Sequence, residues 1–323
     1  MKLTSRSNLK PRQLKFLAQL GVTHLSEDSG RWLDADRRGV VDVDRLRADI
    51  AMAKTHDLKI EVALLPQPER SQHWNIRMGK PQREKEIFDV CRSLEILGGE
   101  GVPVVEYVFN LAAVYGHDEA PAGRGGAMVR RFEQRRWDGD VREDFAATHE
   151  QVWDRIAWFL DRALPVAEKA GVKLACHPDD PPVPLINGDS RVTGSREGMT
   201  RLLDMFDSPS NGLNFCVGTV IEMGIDVLAA IRDFGSRGRI HHLHFRNVKG
   251  HIPNFHEAFL DDGDLDMAAV LQTLADVGYD GPVMPEHPPT IEGDDANLCH
   301  AHDIGYTKAL IACLRSPASA NAS

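Results

Sequence analysis

Eight short apolar runs punctuate the chain, and most of them are separated by stretches with helical periodicity. The runs cover residues 22–25, 59–65, 102–109, 172–176, 213–216, 240–245, 255–260 and 282–285. Runs of this length, bounded by turn formers, read as buried strands. Between them, Ile87, Val90, Cys91, Leu94 and Leu97 recur at spacings of three and four before Gly98-Gly99. Val152, Ile156, Phe159, Leu160 and Ala163 repeat the pattern ahead of Gly171. Ser195 is placed to cap a helix burying Met199, Leu202, Leu203 and Phe206, and Asp264 or Asp266 one burying Met267, Val270, Leu271, Leu274 and Val277. Strand–helix alternation predicts a parallel sheet, and eight strand candidates favour a closed α/β (β/α)8 TIM barrel. An open doubly wound sheet more often carries a glycine-rich phosphate loop after its first strand, and none follows residues 22–25.

Two stretches fit a regular barrel badly. Residues 247–254 are too few for a helix between the sixth and seventh candidate strands, and residues 111–148, with Gly123-Arg124-Gly125-Gly126, are expected to form a lid or insertion. Residues 1–315 are read as one catalytic domain, and the small, polar residues 316–323 as a disordered tail.

With 323 residues, 42% of them hydrophobic, the chain can bury a large core. Its 48 acidic against 38 basic residues, a formal charge of −10, argue against a nucleic-acid or anionic-membrane partner. The richest basic stretch, from Arg130 to Arg136, is interrupted by Glu133 and reads as a solvated face or a clamp for a small acid. Five cysteines without a CxxC pair argue against a disulfide framework. No run approaches the ~20 apolar residues of a membrane span. No apolar signal segment follows Met1-Lys2-Leu3-Thr4-Ser5-Arg6, so a soluble, cytoplasmic protein is expected.

The active face of such a barrel lies at the C-terminal ends of its strands. Residues 172–175 run into Cys176-His177-Pro178-Asp179-Asp180-Pro181-Pro182, where the prolines restrict the loop. Another candidate strand ends at Cys216, and the run 282–285 ends at Glu286-His287. In Ile240-His241-His242-Leu243-His244-Phe245-Arg246-Asn247, period-two alternation places Ile240, His242, His244 and Arg246 on one face. A single strand-end histidine is more often a hydrogen-bonded core residue, and a free cysteine is usually packing. His177, Cys216, His244 and Glu286, each at its own strand end, are harder to explain that way. Two imidazoles, a thiolate and a carboxylate form a complete ligand set for a divalent transition metal.

The ordered blocks His177-Pro178-Asp179-Asp180-Pro181-Pro182, Cys216-Val217-Gly218-Thr219, Ile240-His241 with His244-Phe245-Arg246-Asn247-Val248, and Tyr279-Asp280-Gly281-Pro282 resemble the motifs of mannonate dehydratases. These are xylose-isomerase-like TIM barrels, and the resemblance extends from about residue 50 onward. It implies a hydro-lyase that converts D-mannonate to 2-keto-3-deoxy-D-gluconate and water, with Mn²⁺ or Fe²⁺ held by His177, Cys216, His244 and Glu286. Tyr306, in Ile304-Gly305-Tyr306-Thr307, is similar to a tyrosine implicated in that family's catalysis. The family's usual aspartate on the last strand is Glu286 here, and Tyr107-Val108-Phe109-Asn110-Leu111 stands where Asn-Phe-Met-Pro is usual.

Dehydrating a sugar acid removes the C2 proton and expels the C3 hydroxyl, which requires a base and an acid. Tyr306, Glu286 and His287 are the candidates for those catalytic roles. Arg246, Asp179, Asp180 and His256 are expected substrate contacts. For Arg246 a salt bridge to Asp179 or Asp180 is an equal alternative, and Asp180 is also placed to orient His177. A small-molecule sugar-acid partner and a homo-oligomer are expected. Two other readings remain: a metal-dependent sugar isomerase or epimerase on the same barrel, and a non-catalytic, metal-stabilised sugar-acid binding protein.

Overall fold

Parallel pairing of the apolar runs closes a barrel in the computed structural model, which describes residues 1–67, 71–111, 118–137, 141–293 and 297–314. Its strands are β1 (Lys2–Arg6), β2 (His24–Asp28), β3 (Lys59–Leu64), β4 (Val104–Tyr107), β5 (Lys173–Cys176), β6 (Asn211–Cys216), β7 (Ile240–Phe245) and β8 (Pro282–Pro285). Each strand pairs with its chain neighbours, and β1 closes the ring against β8 through Lys2 opposite Pro282 and Leu3 opposite Val283. Around it lie α1 (Pro11–Leu20), α2 (Val43–Lys54), α3 (Arg83–Gly99), α4 (His149–Ala170), α5 (Arg196–Asp204), α6 (Val227–Ser236), α7 (Met267–Asp276) and α8 (Asn297–Ala312). Ser195 caps α5 by accepting from the Gly198 amide. Asp266 caps α7 by accepting from Ala268 and Ala269, while Asp264 accepts from the Gly250 amide instead.

Seven of the eight expected strands belong to the barrel, and two corrections follow. The missing member is β1, whose Lys-Leu-Thr-Ser-Arg sequence carries a single large apolar residue and therefore gives no apolar run. The run 255–260 is not a barrel strand. The strand Asn254–Ala258 pairs antiparallel with Asn247–His251 on one side and Val129–Glu133 on the other. Asp118–Ala120 completes this four-stranded sheet. The stretch too short for a helix is therefore a hairpin, and the insertion after β4 docks onto it.

This sheet caps the C-terminal mouth of the barrel. Its apolar side gathers Trp74, Phe132, Phe145, Val248 and Phe255 into a second small core, with the Phe132 and Phe255 rings stacked 5.4 Å apart. Its arginines are largely matched locally. Arg131 makes a bidentate pair with Asp118 at 3.0 and 2.8 Å, and Arg136 reaches the same carboxylate at 3.1 Å. Residues 112–117 and 138–140 of the expected lid, and the expected tail 316–323, lie outside the described residues.

The close crossing of α3 and α4 depends on Gly98. A β-carbon there would meet the Ala170 carbonyl oxygen at 2.3 Å and the Val172 side chain at 3.0 Å. Helix propensity alone favours alanine over glycine by about 1 kcal/mol, but a backbone oxygen cannot rotate aside. Gly98→Ala is therefore expected to destabilise the fold by about 1–3 kcal/mol, the usual cost of overpacking. Urea denaturation at constant m-value measures this, and an unchanged or raised midpoint would show that the helices separate without cost.

Candidate active site

The side chains of interest stand at the ends of β5, β6, β7 and β8. Past β5, the His177 amide donates to the Tyr107 carbonyl at 2.9 Å, which carries the strand pairing one residue into the loop. The His177 ring lies with Nδ1 2.7 Å from the Pro178 carbonyl. Nδ1 must carry the proton to donate there, so Nε2 presents its lone pair. Cys216 ends β6 and precedes the short helix Val217–Glu222. At Gly218 a β-carbon would sit 2.4 Å from the Arg246 Nε, so only glycine leaves room for that guanidinium. His242 and His244 alternate along β7 as expected, and His287 follows β8 with a left-handed φ of 50°.

One donor atom from each of His177, Cys216, His244 and Glu286 falls in a group whose members all lie within 4.8 Å of one another. Glu286 Oε1 is 3.2 Å from His244 Nδ1 and 3.6 Å from the Cys216 sulfur. His244 Nδ1 is buried without a hydrogen-bond partner among the described residues. A buried lone pair, a thiolate and a carboxylate converging on one point suit a divalent transition metal. Burial works to raise the Cys216 thiol, but the Arg246 guanidinium and the neighbouring His177 and His244 rings together outweigh it, and the thiol falls to about 5. Burial opposes charge on His244, yet the Glu286 and Glu106 carboxylates raise its pKa well above the usual histidine value in the metal-free protein.

Arg246 is buried at 1% exposure and does not line the cavity, which corrects its expected role as a substrate contact. Its guanidinium meets Asp180 Oδ2 at 2.7 Å, Glu257 Oε1 at 2.7 Å and Glu222 Oε1 at 3.2 Å. It also lies 3.4 Å from the Cys216 sulfur. The salt-bridge alternative holds, with Asp180 as the partner. One cation cannot neutralise every carboxylate packed round it. Burial and the nearby Asp180 raise Glu222 well above the usual carboxylate range.

A cavity of about 440 Å³ opens above this cluster. Of the expected residues, His177, Asp180, His244, Glu286 and His287 line it, and Cys216 is buried beside them. Asp179 is turned into its own loop, accepting from the Thr193 amide and hydroxyl at 2.8 and 2.9 Å. His256 is directed elsewhere because its strand neighbour Glu257 faces the cavity, and alternation sends adjacent side chains to opposite sides. Tyr306 is also absent from the lining. It lies on α8 with its ring stacked 6.5 Å from His302, where burial and the carboxylates of Asp261 and Asp266 raise its pKa.

Three lining residues escaped the sequence reading, Glu106, Glu257 and Arg6, while Arg130, from the basic stretch read as a solvated face or a clamp for a small acid, also lines the cavity. Glu106 had a legible signal, a lone carboxylate inside the apolar run of β4. Glu257 and Arg130 belong to the cap, whose pairing brings them to the mouth. Arg6 ends the strand that had no apolar signature.

Residues 139–310 match the model of the D-mannonate dehydratase (UxuA) family. The mannonate dehydratase of Streptococcus suis (strain 05ZYH33) is 33% identical over 251 residues, covering 69% of this chain and 68% of that protein. The crystal structure of mannonate dehydratase from Streptococcus suis serotype 2 superposes with a TM-score of 0.86 at 28% identity, covering 96% of this chain and 92% of the other. A xylose isomerase domain protein from Alicyclobacillus acidocaldarius shares the fold at 13% identity, with a TM-score of 0.67 over 97% of this chain and 98% of the other. Matched across its C-terminal half by the family model and over nearly its whole length in three dimensions, the chain belongs to the D-mannonate dehydratase (UxuA) family, on a xylose-isomerase-like TIM barrel.

Proposed function

We propose that this chain dehydrates D-mannonate to 2-keto-3-deoxy-D-gluconate, with a divalent ion, Mn²⁺ or Fe²⁺, held by His177, Cys216, His244 and Glu286. The observation that carries the reading is the convergence of those four donors within 4.8 Å at the mouth of the barrel in a member of this family. When bound, such an ion supplies a Lewis acid for the negative charge that develops beside the substrate carboxylate as the C2 proton leaves. The chain's own residues do the rest. Pro178 fixes the His177 ring through its carbonyl, and Arg246 keeps Cys216 ionised. A cavity of about 440 Å³ suits a small sugar acid.

Proton transfer falls to His287. Glu286 is committed to the ion, and Tyr306 stands outside the cavity. His287 Nδ1 lies 2.7 Å from Glu257 Oε1, so Glu257 fixes the proton on Nδ1, while Nε2 points into the site 3.5 Å from Glu286 Oε2. A histidine oriented by a carboxylate is a common acid–base device.

Incubating the metal-loaded protein with D-mannonate tests the reaction directly. A 2-keto-3-deoxy acid, one water lighter, is the expected product. An epimer or isomerised sugar of unchanged mass would replace this reading with the isomerase or epimerase one, and binding without turnover would replace it with a binding protein.

Cys216→Ser should lower metal affinity by more than the roughly 10–100-fold that losing an outer partner costs, shift the preferred metal, and leave the fold intact. Full metal content with unchanged preference would remove Cys216 from the ligand set. In the wild type, ligands must be deprotonated to bind metal. Affinity should therefore be full at high pH, begin to fall below the raised pKa of His244, and fall more steeply below about 5, where Cys216 takes up its proton. Chelator competition across pH reads this, and a flat profile would contradict it. His287→Gln should cut turnover by about 10²–10⁴-fold with normal metal content, whereas Tyr306→Phe should stay within a few-fold of wild type. The reverse ranking would return the proton to Tyr306.

A further inference from the structure

Below the four-donor cluster lies a second group that the proposed reaction does not use. Glu106 on β4 is 1% exposed, and its Oε2 is 3.3 Å from His242 Nδ1 and 3.6 Å from His244 Nε2. That oxygen and both His242 nitrogens are buried without hydrogen bonds among the described residues. A buried carboxylate left this way is costly, so its neighbours must answer its charge. Two answers exist: a second metal ion held by Glu106, His242 and His244, or N–H groups turned toward the carboxylate.

The chemistry of His244 decides between them. A neutral imidazole has one lone pair and one N–H. His244 directs Nδ1 at Glu286 Oε1, 3.2 Å away in the upper cluster, and Nε2 at Glu106. With Nδ1 given to the upper ion, Nε2 carries the proton and has no lone pair for a lower ion. It then needs an acceptor. Glu106 lies on that side, and the Asn214 side-chain amide reaches the same nitrogen at 3.0 Å. The Asn214 oxygen is itself buried and without a partner among the described residues, and accepts that N–H once the amide is turned.

We propose that Glu106 is a positioning residue: reaching across the barrel from β4, its charge, 3.6 Å from Nε2, favours the His244 Nε2–H tautomer, whose N–H the turned Asn214 amide accepts, and so presents Nδ1 to the ion. The inference rests on the reading that His177, Cys216, His244 and Glu286 bind that ion. Carboxylates behind ligating histidines fix ring orientation and raise ligand basicity, and removing one typically costs 10–100-fold in metal affinity. His242 Nδ1 lies 3.3 Å from the same Glu106 oxygen and is placed to supply a second N–H to it.

Metal binding, not activity, is the readout. Glu106→Gln is nearly isosteric and removes the charge, so it should weaken Co²⁺ or Mn²⁺ binding by about 10–100-fold in chelator competition and shift the Co²⁺ ligand-field bands. Glu106→Asp, which keeps the charge, should recover part of the affinity and serves as the second variant if the glutamine form fails to fold. Glu61→Gln is the matched control. Glu61 is also a 1%-exposed carboxylate, paired with Lys2 and Lys59 at the opposite end of the barrel, and its loss should alter stability without altering metal affinity. Equal metal affinity in Glu106→Gln and wild type would overturn the proposal, as would equal losses in the Glu106 and Glu61 variants. Two ions per wild-type chain, with one lost in Glu106→Gln, would establish the second metal site instead. Failure of the underlying reading looks different: Cys216→Ser would then leave wild-type metal binding unchanged.

Discussion

The buried guanidinium of Arg246 ties the working end of the molecule together. It joins β7 to the loop after β5 through Asp180, to the helix after β6 through Glu222, and to the cap through Glu257. It also stabilises the Cys216 thiolate. Each of those groups is costly to bury alone, and removing one partner from such a set typically costs about 3–5 kcal/mol because the others lose their compensation. One side chain therefore sets both the shape of the site and its charge state. Gly218 makes the arrangement possible, because any β-carbon there would occupy the place of the guanidinium.

Around that centre the barrel assigns separate tasks to separate strands. The donors come from four successive strand ends, β5 to β8, and are therefore neighbours on one side of the mouth. Glu106 comes from β4, three strands from β7 round the ring, and so approaches His244 from across the barrel. The cap contributes what the barrel cannot. Two insertions far apart in sequence, after β4 and after β7, form one antiparallel sheet, which places Glu257 against both Arg246 and His287. Cap and barrel thus share a hydrogen-bonded network at the point where proton transfer is proposed.

Much of this was legible in the chain. Period-two alternation placed His242, His244 and Arg246 on the inward face of β7, and the strand-end positions of His177, Cys216 and Glu286 followed from their apolar runs. What failed did so for physical reasons. β1 carries almost no large apolar residue, because its pairing with β8 and β2 depends on backbone hydrogen bonds and buried Thr4 and Ser5. The run containing Phe255 has the same local pattern as a barrel strand but buries its apolar residues under a cap. His256 and Glu257 exchanged roles because pattern alone does not say which face of a cap strand meets the cavity. Tyr306 was assigned by resemblance, and the rotation of α8 about its axis decides which way it points.

By itself the sequence determined the barrel and pointed to the four residues that converge at its mouth, since hydrophobic periodicity and side-chain chemistry are local properties that survive without knowledge of distant contacts. Only the tertiary structure decided which polar groups answer one another. The four carboxylates round Arg246, the Glu257–His287 pair and the approach of Glu106 to His244 all join residues 11 to 138 positions apart. Electrostatic energy depends on separation and burial, and both arise only when the strands have closed into a ring.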